Sequence, residues 1–303
     1  MSVAASYLSG GAPSSPLIVC LHGGGYTRRY FDIEASSFLR RAQVNGFPVL
    51  AVDRPGYGDS DAPAVERGWF PAQARTVDAA IADAWRRLQK DRTGVVLLGH
   101  SFGATVALRI AARQPAWPLL GVIVNGTLDR TVPSMLELAG ALEETPALAP
   151  VLLPPEVQRS YFYGPDGTFD PAVAAAAAES TAPAPAVEIR EWASGWPKDA
   201  AAVAAHVRVP VHVRVSEHDA VQDVSPDALG RFVSLFGAAP HVDSAVVLGS
   251  GHNTDHHYAA RALHLEQLAF ADRCAAGAGP RSGSRRPTTR EGEQCDVEPS
   301  PSL

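Results

Sequence analysis

The sequence predicts a doubly wound α/β fold, with a mostly parallel sheet, helices on both faces and a helical insertion. Short apolar segments rich in β-branched residues alternate along the chain with segments of helical periodicity, and this order is typical of parallel sheets. The alternation stops over residues 128–206, where proline-rich joints separate helical fragments and no segment predicts a strand. We expect residues 1–127 and 207–273 to form the core and residues 128–206 to form a helical cap over it.

Six segments predict the strands of the sheet, and turn residues bound each one. They are residues 17–21, 49–52, 95–98, 122–124, 211–215 and 245–248. Each segment is nearly continuously apolar rather than alternating, so we expect these strands to be buried on both faces.

Helical periodicity fills the stretches between the strands. Ala74, Val77, Ile81, Ala84 and Leu88 recur at steps of three and four and therefore line one face of a helix. The other predicted helices are residues 102–113, 226–236 and 256–274 in the core, and residues 135–142 and 172–180 in the insertion.

The insertion carries large apolar side chains that either pack it on the core or line a pocket. They are Leu152, Leu153, Tyr161, Phe162, Tyr163, Phe169, Trp192 and Trp196. We expect most of them to pack and a few to face an apolar ligand, because binding pockets are lined mainly by apolar and aromatic groups.

Composition and charge exclude several classes of protein. Apolar residues make up 46% of the 303 residues and charged residues 19%, which supports a large buried core and excludes global disorder. The net charge of −6 argues against nucleic-acid binding, which requires a basic face. No apolar run approaches the roughly 18 residues that span a bilayer, so we expect no membrane partner.

The ends of the chain and its cysteines indicate a compartment. The N-terminal segment lacks the basic and apolar regions of a secretory signal, and Cys20, Cys274 and Cys295 have no metal-type spacing. Both observations favour a reduced cytoplasm. Only two of the 26 basic residues are lysine, a bias of GC-rich coding sequences that suggests a bacterial source. Residues 274–303 are poor in apolar residues, and we expect a disordered tail there.

The strongest chemical motif follows the third predicted strand. It reads Gly99-His100-Ser101-Phe102-Gly103 and stands between a buried strand and a helix. In this setting a sharp turn lifts the serine hydroxyl clear of the sheet, and the two glycines leave room for the strained backbone. We expect Ser101 to be a nucleophile and the Phe102 N–H, at the helix start, to donate to an oxyanion.

A glycine run follows the first predicted strand and reads His22-Gly23-Gly24-Gly25. Without side chains, its N–H groups can turn toward a ligand, so the run is a candidate for the second half of an oxyanion hole. Gly24 is the first candidate donor and Gly25 the second, and a flexible loop is the structural alternative. We expect His22 to hold the loop and not to act as a base.

The serine also needs a base, and the base needs an acid that holds it in one tautomer. Asp219 follows the strand predicted at residues 211–215, and His252 follows the strand predicted at residues 245–248. We expect both side chains to lie near Ser101 at one edge of the sheet. The order Ser…Asp…His along the chain accompanies this kind of serine motif.

Three other acidic residues near these strand ends are alternatives to Asp219. Glu217 and Asp223 are its rivals, and Asp129 is a further substitute. The loop of residues 53–60, Asp-Arg-Pro-Gly-Tyr-Gly-Asp-Ser, lies at the same edge of the predicted sheet. We interpret that loop as a rigid turn rather than as a pocket wall.

Three more histidines, His256, His257 and His264, follow the candidate base closely. We expect the first two to open the last helix, as surface residues or as residues behind the site. Together with Asp255 they resemble a metal cluster, but no second ligand group stands elsewhere in the sequence. We therefore expect no metal.

Together these segments resemble the α/β-hydrolase fold family. The matching segments are HGGGY at 22–26, DRPGYGDS at 53–60, GHSFG at 99–103, SEHD at 216–219 and SGH at 250–252. The resemblance covers roughly residues 5–273. It implies Ser101 as nucleophile, His252 as base, Asp219 as acid, Phe102 and Gly24 as oxyanion donors, and no cofactor. It also implies a cap over the site, and a leading hairpin that is shortened in this chain.

The motif and the resemblance imply acyl transfer to water. Relatives that open epoxides or remove halide usually carry Asp where this chain has Ser101, so we do not expect those reactions. The apolar side chains of the cap suggest an apolar or aromatic acyl group, and a closed cleft favours a small molecule over a polymer. We therefore expect a serine hydrolase that cleaves a small-molecule ester or thioester through an acyl-enzyme.

Two alternative functions share these residues or this fold. A cyclase, lyase or C–C hydrolase of secondary metabolism would use the same serine, histidine and aspartate. A non-catalytic ligand-binding relative would keep the pocket without turnover. The sequence leaves open the identity of the substrate, the lining of the pocket and the oligomeric state.

Overall fold

A seven-stranded sheet forms the centre of the protein. The structure is a computed structural model that describes residues 2–10, 14–65, 68–90 and 92–278. In chain order the strands within these ranges are β1 (Ala5–Leu8), β2 (Leu17–Leu21), β3 (Val49–Val52), β4 (Val95–His100), β5 (Leu119–Asn125), β6 (Pro150–Val151), β7 (Ala184–Pro185), β8 (Val211–His218) and β9 (Val242–Gly251). Seven of these strands form the central sheet, and the two short strands β6 and β7 form a separate pair. The sheet has the order β1-β3-β2-β4-β5-β8-β9, and its neighbouring strands are parallel except for β1 against β3. The predicted mostly parallel sheet is confirmed.

Helices cover both faces of the sheet and bury its central strands. Along β2, Leu17, Val19 and Leu21 pack into one apolar layer, while Ile18 and Cys20 pack into the other. The first layer contains α2 (Trp69–Leu88), α3 (Phe102–Ala112) and α8 (Ala228–Val233), and the second contains α1 (Phe38–Val44) and α9 (Ala260–Ala278). No helix in the described ranges is long and apolar enough to cross a bilayer.

The strands at the two edges of the sheet depart from the sequence analysis. β1 was not predicted, and it pairs with β3 in an antiparallel register that runs from Ala5 opposite Val52 to Leu8 opposite Val49. The expectation that residues 245–248 are buried on both faces is wrong. In β9, Val246 is 45% exposed and Leu248 is 71% exposed, because an edge strand can leave one face in water.

The insertion lies between β5 and β8 and contains four helices within the described ranges. They are α4 (Pro133–Ala141), α5 (Pro155–Phe162), α6 (Pro171–Ala178) and α7 (Ala186–Ala204). The expectation that this segment contains no strand is wrong, because the two-residue strands β6 and β7 lie there and pair in an antiparallel fashion. α7 packs on α2 and α3, and its Trp192 and Trp196 are at most 1% exposed.

The C-terminal part of the chain also differs from the prediction. The last helix begins at Ala260 rather than at residue 256, and it continues to Ala278. The prediction of a disordered tail is therefore wrong for residues 274–278, which belong to α9, and Ala275 is 6% exposed. The rest of that predicted tail, with Cys295, lies outside the described residues.

Candidate active site

Ser101 stands at a strained turn between β4 and α3. Its φ of 51° and ψ of −121° lie in a region that residues with a side chain rarely adopt. The Ser101 N–H donates to the Asn125 carbonyl oxygen at 2.8 Å, and the Thr127 hydroxyl donates to the Ser101 carbonyl oxygen at 2.7 Å. The Ser101 side chain makes no helix-capping hydrogen bond, so its hydroxyl can bond elsewhere.

The flanking glycines allow α3 to begin directly against the sheet. A Cβ on Gly99 would lie 2.4 Å from the Cα of Ala104, and a Cβ on Gly103 would lie 2.0 Å from the carbonyl oxygen of Leu21 on β2. Such distances are far below van der Waals contact, so a larger residue would push α3 away from β2. The glycines thereby hold the Ser101 turn beside the glycine run that follows β2.

His252 joins Ser101 to Asp219 through two hydrogen bonds. Its Nε2 lies 2.9 Å from Ser101 Oγ, and its Nδ1 lies 2.8 Å from Asp219 Oδ2. An ionised carboxylate only accepts hydrogen bonds, so Nδ1 carries the proton and Nε2 presents its lone pair to the serine hydroxyl. All three residues are at most 6% exposed. The structure thus brings together the three side chains that the sequence analysis selected.

A tight turn after β8 sets the orientation of the Asp219 carboxylate. Its Oδ1 accepts hydrogen bonds from the N–H groups of Val221 at 2.8 Å and Gln222 at 3.0 Å. These two bonds fix the rotation of the carboxylate, and its other oxygen is then directed at His252.

The alternative acids have other partners. Glu217 Oε2 accepts from the N–H of Gly249 at 2.8 Å, and its side chain is 43% exposed. Asp129 and Asp223 both pair with Arg231, at 3.1 and 3.0 Å. The geometry therefore favours Asp219 over these three as the partner of His252.

Two backbone N–H groups are candidates to stabilise negative charge beside Ser101. Phe102 is the first residue of α3, and the first N–H groups of a helix have no partner within it. Gly24 packs against the Phe102 ring, because a Cβ on Gly24 would lie 2.5 Å from Phe102 Cε2. Gly25 has a φ of +77°, and its carbonyl oxygen accepts from the Ala182 N–H of the insertion at 2.8 Å. Because Gly24 lies directly against Phe102, it is the better candidate of the two loop donors.

His22 and the loop after β3 hold the glycine run from behind. His22 Nδ1 lies 2.8 Å from the Gly23 carbonyl oxygen, and its Nε2 accepts from the Arg54 N–H at 3.0 Å. Burial, and then the charge of Arg54, lower the pKa of His22 well below its usual value. With both ring nitrogens engaged, His22 has the supporting place expected of it. None of residues 53–60 lines the pocket described below.

His256 and His257 are buried behind the candidate base instead of opening the last helix. They lie in the loop between β9 and α9 and are 1% and 4% exposed. His257 Nε2 accepts from the N–H groups of Gly251 at 3.0 Å and Gly164 at 3.2 Å. These bonds fix the loop to the insertion.

Asp255 and His264 form a buried pair below this loop. Their Oδ1 and Nε2 atoms are 2.9 Å apart, and Asp255 Oδ2 also accepts from Tyr30 and Asn125. Burial raises the pKa of Asp255, but His264 together with the nearby His100 and His256 outweighs that effect and lowers the pKa to about 2. Among the described residues, no group of three or more His, Cys, Asp or Glu side chains could hold a metal ion.

His100, inside the serine motif, supports the backbone of His252. Its Nε2 donates to the His252 carbonyl oxygen at 3.0 Å, and its ring stacks on Tyr30 with a centroid separation of 4.4 Å. Burial lowers the pKa of His100 to about 3. The neutral ring therefore links Tyr30 and Asp255 to the loop that carries His252.

A partly open apolar pocket of about 60 Å³ lies against Ser101, His252, Phe102 and Gly24. The insertion supplies much of its wall, through Met135, Leu138, Leu152, Leu153, Phe162 and Ile189. Three of the side chains singled out in the sequence, Leu152, Leu153 and Phe162, therefore face the pocket. Trp192 and Trp196 pack in the core instead, and Tyr163 and Phe169 pack near His257.

Glu188, on α7, is a buried carboxylate that the sequence analysis missed. It pairs with the buried Arg54 of the loop after β3. A signal was present, because Glu188, Trp192 and Trp196 recur at intervals of four and so share one helix face. An acid on a face that carries two tryptophans indicates a buried partner.

The chain belongs to the alpha/beta hydrolase family, whose pattern matches residues 18–264. Among curated proteins it is similar to human Protein ABHD12B, with 37% identity over 100 residues, 32% of this chain. The chain spans well under half the length of the curated relatives it matches, and 25% of the length of this one.

Solved structures of the same fold cover most of the chain. The monoacylglycerol lipase of Paleococcus ferrophilus superposes with a TM-score of 0.64 and 18% identity, over 90% of this chain and 100% of that one. A monoglyceride lipase from Saccharomyces cerevisiae gives a TM-score of 0.67 and 11% identity, over 90% and 91% of the two chains. At these identities the likeness establishes the fold, which agrees with the family match.

Buried neutral histidines make the stability of the fold sensitive to acid. Burial lowers the pKa of His100 to about 3 and that of His256 and His212 to about 4, whereas an unfolded histidine titrates near 6.5. Below pH 6.5 the unfolded chain therefore binds protons that the folded chain does not. Stability should fall between pH 6.5 and 4, by up to about 1.4 kcal/mol per pH unit for each histidine.

Urea unfolding at pH 7, 6 and 5 measures this slope. His212→Gln should make the slope shallower by about one histidine, while His241→Gln, at an exposed position, should leave it unchanged. Equal slopes for all three proteins would contradict the assignment of His212 as a buried neutral group.

Proposed function

We propose that the protein is a serine hydrolase that cleaves the ester or thioester of a small, apolar or aromatic molecule through an acyl-enzyme. The hydrogen-bonded chain Asp219–His252–Ser101 is the observation that carries this proposal. A carboxylate that orients a histidine, whose free nitrogen faces a serine hydroxyl, is the arrangement that activates serine as a nucleophile.

In the first half of the reaction, Ser101 becomes acylated. His252 Nε2 accepts the hydroxyl proton as Ser101 Oγ attacks the carbonyl carbon of the substrate, and the carbonyl oxygen becomes an oxyanion. The N–H groups of Phe102 and Gly24 donate to that oxygen. His252 then gives its proton to the leaving alcohol or thiol, the bond to the leaving group breaks, and the acyl group stays on Ser101.

In the second half, water removes the acyl group. His252 Nε2 accepts a proton from a water molecule as its oxygen attacks the acyl carbonyl, and the same N–H groups stabilise the second oxyanion. The proton returns from His252 to Ser101 Oγ as the ester bond breaks. The products are one carboxylic acid and one alcohol or thiol, and the enzyme is regenerated.

The pocket favours a small neutral substrate. Its volume of about 60 Å³ corresponds to about four to six water-sized positions at roughly 10–15 Å³ each. Its described lining contains no Arg or Lys, so an acidic acyl group would lose its hydration without a charged partner. The names of solved neighbours, lipases and esterases among them, agree with ester cleavage.

The cyclase, lyase and C–C hydrolase alternatives require the same three side chains, and a binding protein requires only the pocket. A panel of p-nitrophenyl esters and thioesters from acetyl to octanoyl separates these functions. Turnover of short esters supports the proposal. Labelling of Ser101 by a fluorophosphonate without any ester or thioester turnover would instead favour a cyclase, lyase or C–C hydrolase.

Removing the nucleophile should abolish turnover without affecting the fold. Ser101→Ala is expected to lower kcat by several orders of magnitude, because the acyl-enzyme can no longer form. The checks are ester kinetics, intact-mass detection of fluorophosphonate labelling and a thermal melt. Residual activity within tenfold of the wild type, in a variant that is no longer labelled, would falsify the nucleophile assignment.

The acid can be identified by comparing two isosteric changes. Asp219→Asn should lower kcat by about three to four orders of magnitude, because the amide favours the wrong tautomer of His252. Glu217→Gln should lower it less than about threefold, because that side chain is half-exposed and bonds to Gly249. A larger loss in Glu217→Gln would reverse the assignment.

Pocket size should set the preferred acyl length. Met135→Ala removes an apolar wall and should raise the ratio of kcat/KM for hexanoyl over acetyl esters by about tenfold or more, since each accommodated methylene is worth about 1–3 kcal/mol. The matched control is Leu136→Ala, because Leu136 is 48% exposed and does not line the pocket. The same shift in both variants would show that the pocket does not select the acyl group.

A further inference from the structure

A buried polar cluster joins the first turn of α7 to the core. Glu188 and Arg54 are both fully buried. Glu188 Oε1 accepts hydrogen bonds from Arg54 Nη1 at 2.5 Å, Gln73 Nε2 at 2.7 Å and Trp69 Nε1 at 3.2 Å. The Tyr57 hydroxyl donates to Glu188 Oε2. None of these five residues lines the pocket.

One member of this cluster also binds the backbone of the glycine run. Arg54 Nε donates to the carbonyl oxygen of His22 at 2.6 Å, and Arg54 Nη2 donates to that of Gly23 at 3.1 Å. Arg54 therefore holds the peptide groups on both sides of Gly23, and the second of these groups carries the Gly24 N–H.

The contact of Arg54 with the Gly23 carbonyl oxygen also determines the direction in which the Gly24 N–H points. The described peptide bonds are all trans, so the Gly23 carbonyl and the Gly24 N–H, which share one planar group, point in opposite directions. Arg54 binds the carbonyl on one side, and the Gly24 N–H therefore faces away from Arg54. Gly24 lines the pocket together with Ser101 and Phe102.

Packing alone is a weak reason for such a cluster. Loss of hydration offsets much of the attraction in a buried ion pair, and apolar residues of similar size often stabilise a core as well or better. A guanidinium, however, offers five N–H donors in a rigid plane. Arg54 can therefore hold the Glu188 carboxylate and two carbonyl oxygens at the same time.

We propose that Glu188 is a positioning residue for the oxyanion hole, because it holds Arg54 in the place from which Arg54 orients the Gly24 N–H. The insertion would then contribute to stabilising the transition state, in addition to enclosing the substrate. This inference rests on the proposed function, since an oxyanion forms only if Ser101 attacks a carbonyl.

The test compares Glu188→Gln with Glu191→Gln. Glu191 is nearly one turn further along α7 and also joins it to the core, because its carboxylate accepts from the N–H groups of Trp69 at 2.6 Å and Phe70 at 3.0 Å. Those contacts go to the start of α2 and not to the glycine run. Glu191→Gln therefore controls for a weakened attachment of the insertion.

Glu188→Gln should lower kcat for p-nitrophenyl butyrate by at least about tenfold, with KM changed by less than about threefold. Loss of a whole oxyanion donor lowers kcat by about 10²–10³, and a misdirected donor loses part of that effect. Glu191→Gln should keep kcat within about twofold of the wild type.

Inhibitor affinities separate positioning from packing. A butyl trifluoromethyl ketone forms a tetrahedral oxyanion adduct with Ser101, whereas the corresponding alcohol occupies the pocket without forming one. In Glu188→Gln the Ki of the ketone should rise by about the factor lost in kcat, and the Ki of the alcohol should stay the same. Equal changes in both Ki values, or the same pattern in Glu191→Gln, would overturn the positioning role.

Two further measurements keep the test decisive. If Glu188→Gln does not fold, as judged by its thermal melt, the paired variant Arg54→Met with Glu188→Met removes both charges and should show the same selective loss of ketone affinity. Wild-type ketone affinity in that variant overturns the inference. If the wild-type protein neither turns over an ester nor forms the ketone adduct, both the proposed function and the positioning role fail. If the wild-type protein does both, and Glu188→Gln has the same kcat and the same ketone Ki, only the positioning role fails.

Discussion

The register between neighbouring parallel strands is the constraint on which the site depends. Leu21 of β2 pairs with Gly99 of β4, so Gly23 and Ser101, each two residues further on, leave the sheet side by side. On the other side of the site, His218 of β8 pairs with Gly251 of β9. Asp219 and His252 directly follow these residues and are therefore also neighbours. Four chain segments that are distant in sequence meet at one edge because hydrogen bonds between backbones, and not the reacting side chains, set the level at which each strand ends.

The same constraint explains how much of the site could be predicted from the sequence. Ser101, Asp219 and His252 each stand next to the end of an apolar strand, so their proximity follows from a parallel sheet alone. The exposure of Val246 and Leu248 could not be foreseen in that way, because an apolar run does not reveal whether its strand lies at an edge. The burial of Glu188 was missed for a related reason. Its partner Arg54 lies 134 residues away, and the spacing of residues within one helix says little about a partner so distant in sequence.

The insertion is attached to both loops that flank the serine. The Ala182 N–H donates to the carbonyl oxygen of Gly25 at 2.8 Å, and the Asn253 N–H donates to that of Phe162 at 2.8 Å. A rigid movement of the whole insertion would either break these two bonds or carry the glycine run and the histidine loop with it. The position of the insertion is therefore coupled to the two loops that carry Gly24 and His252.

The small volume of the pocket also bears on the choice between hydrolysis and transfer to another acceptor. An apolar site strengthens the attraction between an oxyanion and fixed N–H donors, because little water screens it. In the reaction proposed above, water would attack the acyl group on Ser101 after the leaving alcohol or thiol has departed, and it would occupy the space that the leaving group vacates. A volume of about 60 Å³ holds only a few water molecules. The proposed acyl-enzyme would therefore react with water more readily than with a second bulky alcohol.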